Sequence, residues 1–208
     1  MNIHHIFRPF QRYFRTKRMR QFWQRFGLTS ESIVLDIGGC EFNWTLLPAQ
    51  CHVTLINLSA PGKSYNSFTW IIGDGRHLPF KDEAFDVVYS NSVIEHLGSF
   101  GNQRFFADEC RRVGQRYYVQ TPNKCFFMEP HLITPFIHWL PRRIQRLLLR
   151  NFTLWGWITR PTSHYCESFM QEIRLLGEQE LKHLFPEADI WHERFLGLSK
   201  SLMAVKNS

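Results

Sequence analysis

The chain of 208 residues is the size of one ordinary domain, and its 44% hydrophobic and 21% charged residues make a globular composition, neither disordered nor disulfide-built. No apolar run reaches the roughly 18 residues of a membrane span, and the N-terminus lacks the apolar stretch and cleavage site of a secretory signal. Five cysteines without a Cys-x-x-Cys and ten histidines without an HExxH give neither a disulfide framework nor metal-ligand spacing, so a reducing cytoplasm and no metal are expected.

The formal net charge of +7 sits in one place. Residues 1–30 carry Arg8, Arg12, Arg15, Lys17, Arg18, Arg20 and Arg25 with no acid, and the rest of the chain is balanced. In this arm Ile3, Ile6, Phe7, Phe10, Tyr13 and Phe14, then Met19, Phe22, Trp23 and Phe26, recur at helical spacing, and Pro9 limits or starts the helix. A basic amphipathic helix packs on its own domain with solvated arginines, lies on an anionic membrane, or follows a phosphate backbone. Peripheral membrane contact through residues 1–26 is the partner expectation, with nucleic acid third in order.

From residue 31 strands and helices alternate. Residues 32–37, 52–57, 69–72, 85–90 and 116–120 read as buried strands, and 102–113 as a helix through Phe105, Phe106, Cys110 and Val113. Pro135 and Pro141 break residues 131–158 into short helices, Gln179–Phe185 is a helix stopped by Pro186, and 188–195 with 201–205 form an antiparallel hairpin. The pattern predicts an α/β fold: an open, mostly parallel sheet with helices on both faces and the antiparallel hairpin at its C-terminal end. Residues 31–208 form a single domain behind an arm of residues 1–30.

Ligands of such sheets bind outside the carboxyl ends of the strands. Those ends here carry Asp36-Ile37-Gly38-Gly39, then Asn57, then Asp74-Gly75, then Ser90-Asn91-Ser92. Acids and amides at four successive ends suit a ligand with an amine, a ribose and an adenine. The dinucleotide G-x-G-x-x-G and the Walker phosphate loop are absent.

The segments VLDIGGCEF, INLS, GDGRHLPFKDEAFDVVYSNSVIEHL and ECRRVGQRYYVQTPN resemble class I S-adenosylmethionine-dependent methyltransferases of the type 11 group. The resemblance is close over about residues 31–125 and looser beyond. It implies a Rossmann-like, seven-stranded methyltransferase sheet with S-adenosylmethionine as cofactor. Carried over by position, Asp36, Gly38 and Gly39 would hold the methionine end, Asn57 the ribose, Asp74 and Gly75 the adenine, and Asn91 the sulfonium region. Cys40 and Phe42 stand where the family has its second and third glycines, and Asn57 where it has an acid. An Asn57→Asp exchange is therefore expected to strengthen cofactor binding.

A hydroxyl or ammonium acceptor must lose a proton during methyl transfer, which calls for a base. His96, in Glu95-His96 after the fourth strand, and His131, in Glu129-Pro130-His131 after the fifth, are the catalytic candidates. Glu129, His138 and Tyr165 are substrate candidates, the last two in a lid over residues 126–170 whose tryptophans 139, 155 and 157 suit an apolar or anionic acceptor. The expected function is methyl transfer to a small molecule, a hydroxyl of a lipid-linked, sugar or aromatic substrate. The alternatives are a nucleic-acid methyltransferase and a degenerate, non-catalytic binding module.

Overall fold

The computed structural model describes residues 8–46, 51–60 and 68–208, with side chains from residue 12 onward. Ile3, Ile6 and Phe7 of the arm, and the side chain of Phe10, lie outside the described residues.

Helix α1 (Arg8–Phe26) has Pro9 in its first turn, where the ring costs no hydrogen bond. It ends at Gly27, whose φ of +56° is the left-handed conformation that stops helices. Five parallel strands follow: β1 (Ile33–Ile37), β2 (His52–Asn57), β3 (Thr69–Ile72), β4 (Phe85–Asn91) and β5 (Gly114–Pro122). A short α2 (Glu41–Trp44) follows β1, and α3 (Phe100–Val113) joins β4 to β5, with Ser99 capping its first turn by accepting from the Asn102 N–H. The segment expected as a lid, residues 126–170, and the two residues after it contain β6 (Met128–Glu129), β7 (Thr134–Pro135), α4 (Arg142–Leu149), α5 (Leu154–Thr159) and α6 (Ser163–Glu172). Helix α7 (Glu178–Leu184) and the antiparallel β8 (Asp189–Phe195) and β9 (Leu198–Lys206) complete the chain.

The main sheet has the order β3-β2-β1-β4-β5-β9-β8, with β9 antiparallel to β5 and to β8. The seven-stranded, mostly parallel sheet with its antiparallel hairpin is therefore as expected. Strand order reverses between β1 and β4, which places the ligand crevice at their carboxyl ends.

Alternation along each strand divides the core into two layers. Leu35, Val88 and Tyr117 point to one face, with Phe106 of α3 and Leu181 and Leu184 of α7. Val34, Val87, Tyr89 and Tyr118 point to the other, where Met19, Phe22 and Phe26 of α1 cover them. Phe22 lies 4.8 Å from the Tyr89 ring and 5.6 Å from that of Tyr118. Phe14, Met19, Phe22 and Phe26 of α1 are thus buried inside the molecule, while Tyr13 is exposed.

One arginine departs from the solvated reading of the arm. Arg18, 7% exposed, donates from Nη1 to Asn91 Oδ1 (2.6 Å) and to Gln120 Oε1, and its Nε lies 3.3 Å from Glu193 Oε1. Two helices, α2 and α6, were not foreseen. Glu41–Trp44 is a single turn, too short to show a period. Helix α6 is started by Thr162, whose hydroxyl accepts from the Tyr165 N–H, and its sequence SHYCESFMQE has only a weak stripe, Cys166 and Met170 being its buried residues.

Removing Arg18 leaves Glu193 buried with only Lys200 beside it, at 3.5 Å. Arg18→Ala should lower unfolding free energy by about 3 kcal/mol, measured by chemical denaturation. A loss under about 1 kcal/mol would make α1 a peripheral arm. Adding Glu193→Leu to that variant should recover part of the loss.

Candidate active site

The turn after β1 sets the crevice. Gly38 has φ +71°, and a Cβ there would lie 2.6 Å from Val93. At Gly39 an added Cβ would fall 1.9 Å from Asp36 Oδ2, so this residue forms a roof over the carboxylate. Asp36 has no accessible surface; Oδ2 accepts from Trp44 Nε1 at 2.8 Å and Oδ1 has no hydrogen-bond partner. Burial pushes the carboxyl up to about 7, against the opposing effects of the Trp44 bond and the Arg15 charge. In this structure the Asp36 carboxylate lies behind the turn, with Gly39 over it. Asp36 does not cap α2, whose N-cap is Cys40.

Asn57 ends β2 half-buried, its Nδ2 donating to the Gly39 carbonyl (3.3 Å) and its Oδ1 accepting from the Leu58 N–H (2.9 Å). An aspartate there would lose the donor and set a carboxylate against the carbonyl, so the expected gain from Asn57→Asp is offset. Asp74 follows β3 and is gripped by Arg76: Nη2 reaches Oδ2 at 2.6 Å, and Nε and the backbone N–H reach Oδ1 at 3.0 and 2.9 Å. The Arg76 bonds hold the Asp74 carboxyl below its ordinary range despite some desolvation. They also occupy the Arg76 N–H, leaving that of Gly75 as the candidate donor to a ring nitrogen. Gly75 itself packs inward, where a Cβ would lie 2.7 Å from Ile37. Leu58 and Ile72, both well exposed, flank Asn57, which is in register with Ile72. Two exposed apolar side chains thus lie beside a polar edge. Asn91 is turned to Arg18 and is 9% exposed, so it reaches the crevice by backbone more than by side chain.

The second half of the site gathers residues that are distant in sequence. His96 lies on a single 3-10 turn, Ile94–Leu97, just after β4, and His131 lies between β6 and β7. Their rings are 4.9 Å apart and nearly perpendicular. Nδ1 of His96 is 2.9 Å from Glu172 Oε1, and Nδ1 of His131 is 2.7 Å from Glu129 Oε1. Glu129 is buried and its other oxygen accepts from the Leu132 N–H. Desolvation works against the His131 imidazolium, but the bond to Glu129 and the charges of Glu129, Glu95 and Glu172 outweigh it and raise the imidazole above its ordinary value. Glu95, fully buried, accepts from Thr121 Oγ1 (3.1 Å) with Oε2 and has no partner for Oε1. The sequence analysis missed Glu95, although the Glu95-His96 pair was the signal that marked it.

His138 Nε2 donates to the Lys124 carbonyl (3.0 Å), an acceptor that fixes Nε2 as the protonated nitrogen. It lines, with Glu129 and Leu132, a cavity of about 410 Å³. Tyr165 is exposed and stacks on Trp155, among the lid's own packing. A larger, mostly apolar cavity of about 560 Å³ lies between α1 and the lid, lined by Arg18, Ser92, Gln120, Phe127, Pro130 and Ile133.

Residues 35–116 match the family model described as a methyltransferase domain. That segment is similar to methyltransferase domains. Around this segment the fold extends to solved structures. Magnesium protoporphyrin IX methyltransferase from Synechocystis PCC 6803, solved with bound SAH, has a TM-score of 0.59 at 13% identity, covering 99% of this chain and 88% of that one. A SAM-dependent methyltransferase from Methanosarcina mazei has a TM-score of 0.51 at 15% identity, covering 86% and 92%. The chain spans 60% of the length of a candidate methyltransferase of an antibiotic biosynthesis pathway from Anabaena variabilis ATCC 29413, at 18% identity, 66% coverage of this chain and TM-score 0.48. No curated protein matches the sequence. Among the described residues no helix is long and apolar enough to cross a membrane.

Asp36 gives a signature in stability. Its folded carboxyl keeps a proton that the unfolded chain releases from about pH 4, so stability is lost as pH rises toward about 7. Asp36→Asn keeps an acceptor for Trp44 and removes that titration. The difference in unfolding free energy between variant and parent should grow between pH 4 and 7 by up to about 1.4 kcal/mol per pH unit. A pH-independent difference would refute the sealed carboxyl.

Proposed function

We propose that the chain transfers a methyl group from S-adenosylmethionine to a hydroxyl of a small, largely apolar acceptor. The observation that supports this reading is that Gly38, Asn57, Asp74 and His96 all lie at or after the carboxyl ends of the parallel strands β1 to β4. The donor set suits the cofactor. Gly38 supplies the left-handed turn after β1, Asn57 offers an amide to ribose hydroxyls, and Asp74 offers a carboxylate to an amino group beside the apolar Leu58 and Ile72. When bound, the cofactor supplies an activated methyl group.

The chain's own part is positioning and proton handling. The crevice fixes one reactant and the cavity the other, which converts an encounter into an aligned pair. His131, held by Glu129, and His96, held by Glu172, are the bases that take the acceptor hydroxyl's proton in this reading, supported by their paired rings and carboxylate partners. His138 lines the neighbouring cavity and Tyr165 the lid surface, as outer contacts for the acceptor. A lipid-linked, sugar or aromatic acceptor is compatible with the Phe127, Ile133 and Pro130 walls, and the nearby Arg15 and Arg18 favour one carrying negative charge.

One observation favours a non-catalytic module instead: Asn57 and Asp74 are already satisfied within the chain, so a ligand must displace Leu58 or share with Arg76. Calorimetric titration with S-adenosylmethionine and S-adenosylhomocysteine separates the two readings. Micromolar binding of both is expected, weakened about tenfold in Asp74→Ala, the loss of one charge-assisted hydrogen bond. No binding of either would make this a methyltransferase in fold only. Once an acceptor is in hand, His131→Ala should slow transfer by about a hundredfold or more while leaving S-adenosylhomocysteine affinity within about twofold.

A further inference from the structure

We propose that Glu95, His96 and His131 form a binding site for a divalent transition-metal cation at the acceptor end of the crevice. One ligand atom from each of the three residues lies within 4.8 Å of the others. Neighbouring ligands around a four-coordinate cation with bonds of about 2.0–2.2 Å are roughly 3.4 Å apart, so side-chain movement of about 1 Å closes the site.

Three features mark a built site, beyond a chance meeting of polar groups. First, Glu95 is fully buried and its Oε1 has no hydrogen-bond partner, a costly state for a carboxylate unless a cation meets it. Second, both imidazoles are committed through Nδ1 to a carboxylate, Glu172 for His96 and Glu129 for His131, which leaves Nε2 of each ring as the ligating nitrogen. That carboxylate–histidine arrangement fixes tautomer and orientation at metal sites and raises ligand basicity. Third, Glu95 has its own support from Thr121 Oγ1 and through its backbone carbonyl, which accepts from the Arg174 N–H. Each of the three ligands therefore has one outer partner.

Two nitrogens and one oxygen suit Zn²⁺, Mn²⁺ or Fe²⁺ more than the all-oxygen preference of Ca²⁺ and Mg²⁺. Three protein ligands leave coordination positions open. In the methyl-transfer reading, on which this clause rests, an acceptor hydroxyl would fill one of them and, made more acidic, would release its proton to solvent. With the cation bound, His131 and His96 would serve as ligands, and only in the cation-free protein would they be available as bases.

The test is calorimetric titration of the full-length protein with Zn²⁺ and with Mn²⁺, the second because it ignores stray thiols. The same preparations are titrated with S-adenosylhomocysteine. One equivalent of each cation should bind the parent chain, with affinity at least about tenfold lower in Glu95→Gln and His131→Asn. Glu172→Gln, a change at an exposed carboxylate that spares folding, should weaken binding by about tenfold through His96. Glu95→Gln should melt no lower than the metal-free parent, since it removes an uncompensated buried charge. Absence of cation binding in the parent, or equal binding in all four proteins, overturns the site, and intact S-adenosylhomocysteine binding in that case leaves the methyl-transfer reading standing. Cation binding that is lost in the variants establishes the site even where S-adenosylhomocysteine does not bind.

Discussion

The arrangement depends on the burial of one guanidinium. Arg18 reaches from α1 to Asn91 at the end of β4, Gln120 on β5 and Glu193 on β8. A charge this deep is tolerated only when paired and hydrogen-bonded, so the helix can sit in one place against the sheet. The consequences run on into the crevice. Gln120 also accepts from Ser92 Oγ (2.9 Å), and Ser92 adopts a left-handed φ of 58° that leads the chain into Val93. Val93 in turn packs against Gly38, the residue that opens the turn. A basic arm that looks separable in sequence is thereby linked, through five residues, to the geometry of the ligand edge.

Two buried acids face opposite solvation problems. Asp36 and Glu95 are both inaccessible, and burial raises both carboxyls. Asp36 lies under a glycine roof with an indole N–H as its single donor, so the neutral form satisfies it and its task is to hold the turn. Glu95 has two imidazoles beside it, whose charges oppose the desolvation. The first environment is closed and the second is convertible, and this difference separates a supporting residue from one suited to chemistry.

The sheet was legible because its strands are short apolar runs with clear ends: residues 52–57 and 69–72 are found with the boundaries read from the sequence, and the hairpin differs only in extent. Local pattern also gave α3, whose buried positions Phe106, Cys110 and Val113 keep helical spacing. What pattern could not give is whatever depends on partners far along the chain. Arg18 looks like its solvated neighbours until Asn91, Gln120 and Glu193 are folded against it. Asp36 looks like a ligand-facing acid until Trp44, eight residues on, is seen to fill its lower side. Glu95 and His131 are 36 positions apart, and no motif spacing encodes their meeting.

The lid has a core of its own. Leu132, Ile137, Leu149, Trp155, Cys166 and Met170 pack together in a cluster separate from the two layers that bury the sheet. Packing changes in such a cluster are felt locally, because each layer is held by its own contacts. Residues of this cluster can therefore be exchanged one by one without loosening the sheet. Variation and stability are drawn from different stretches of the same polypeptide, and a lineage of such chains is free to change here while its scaffold stays still.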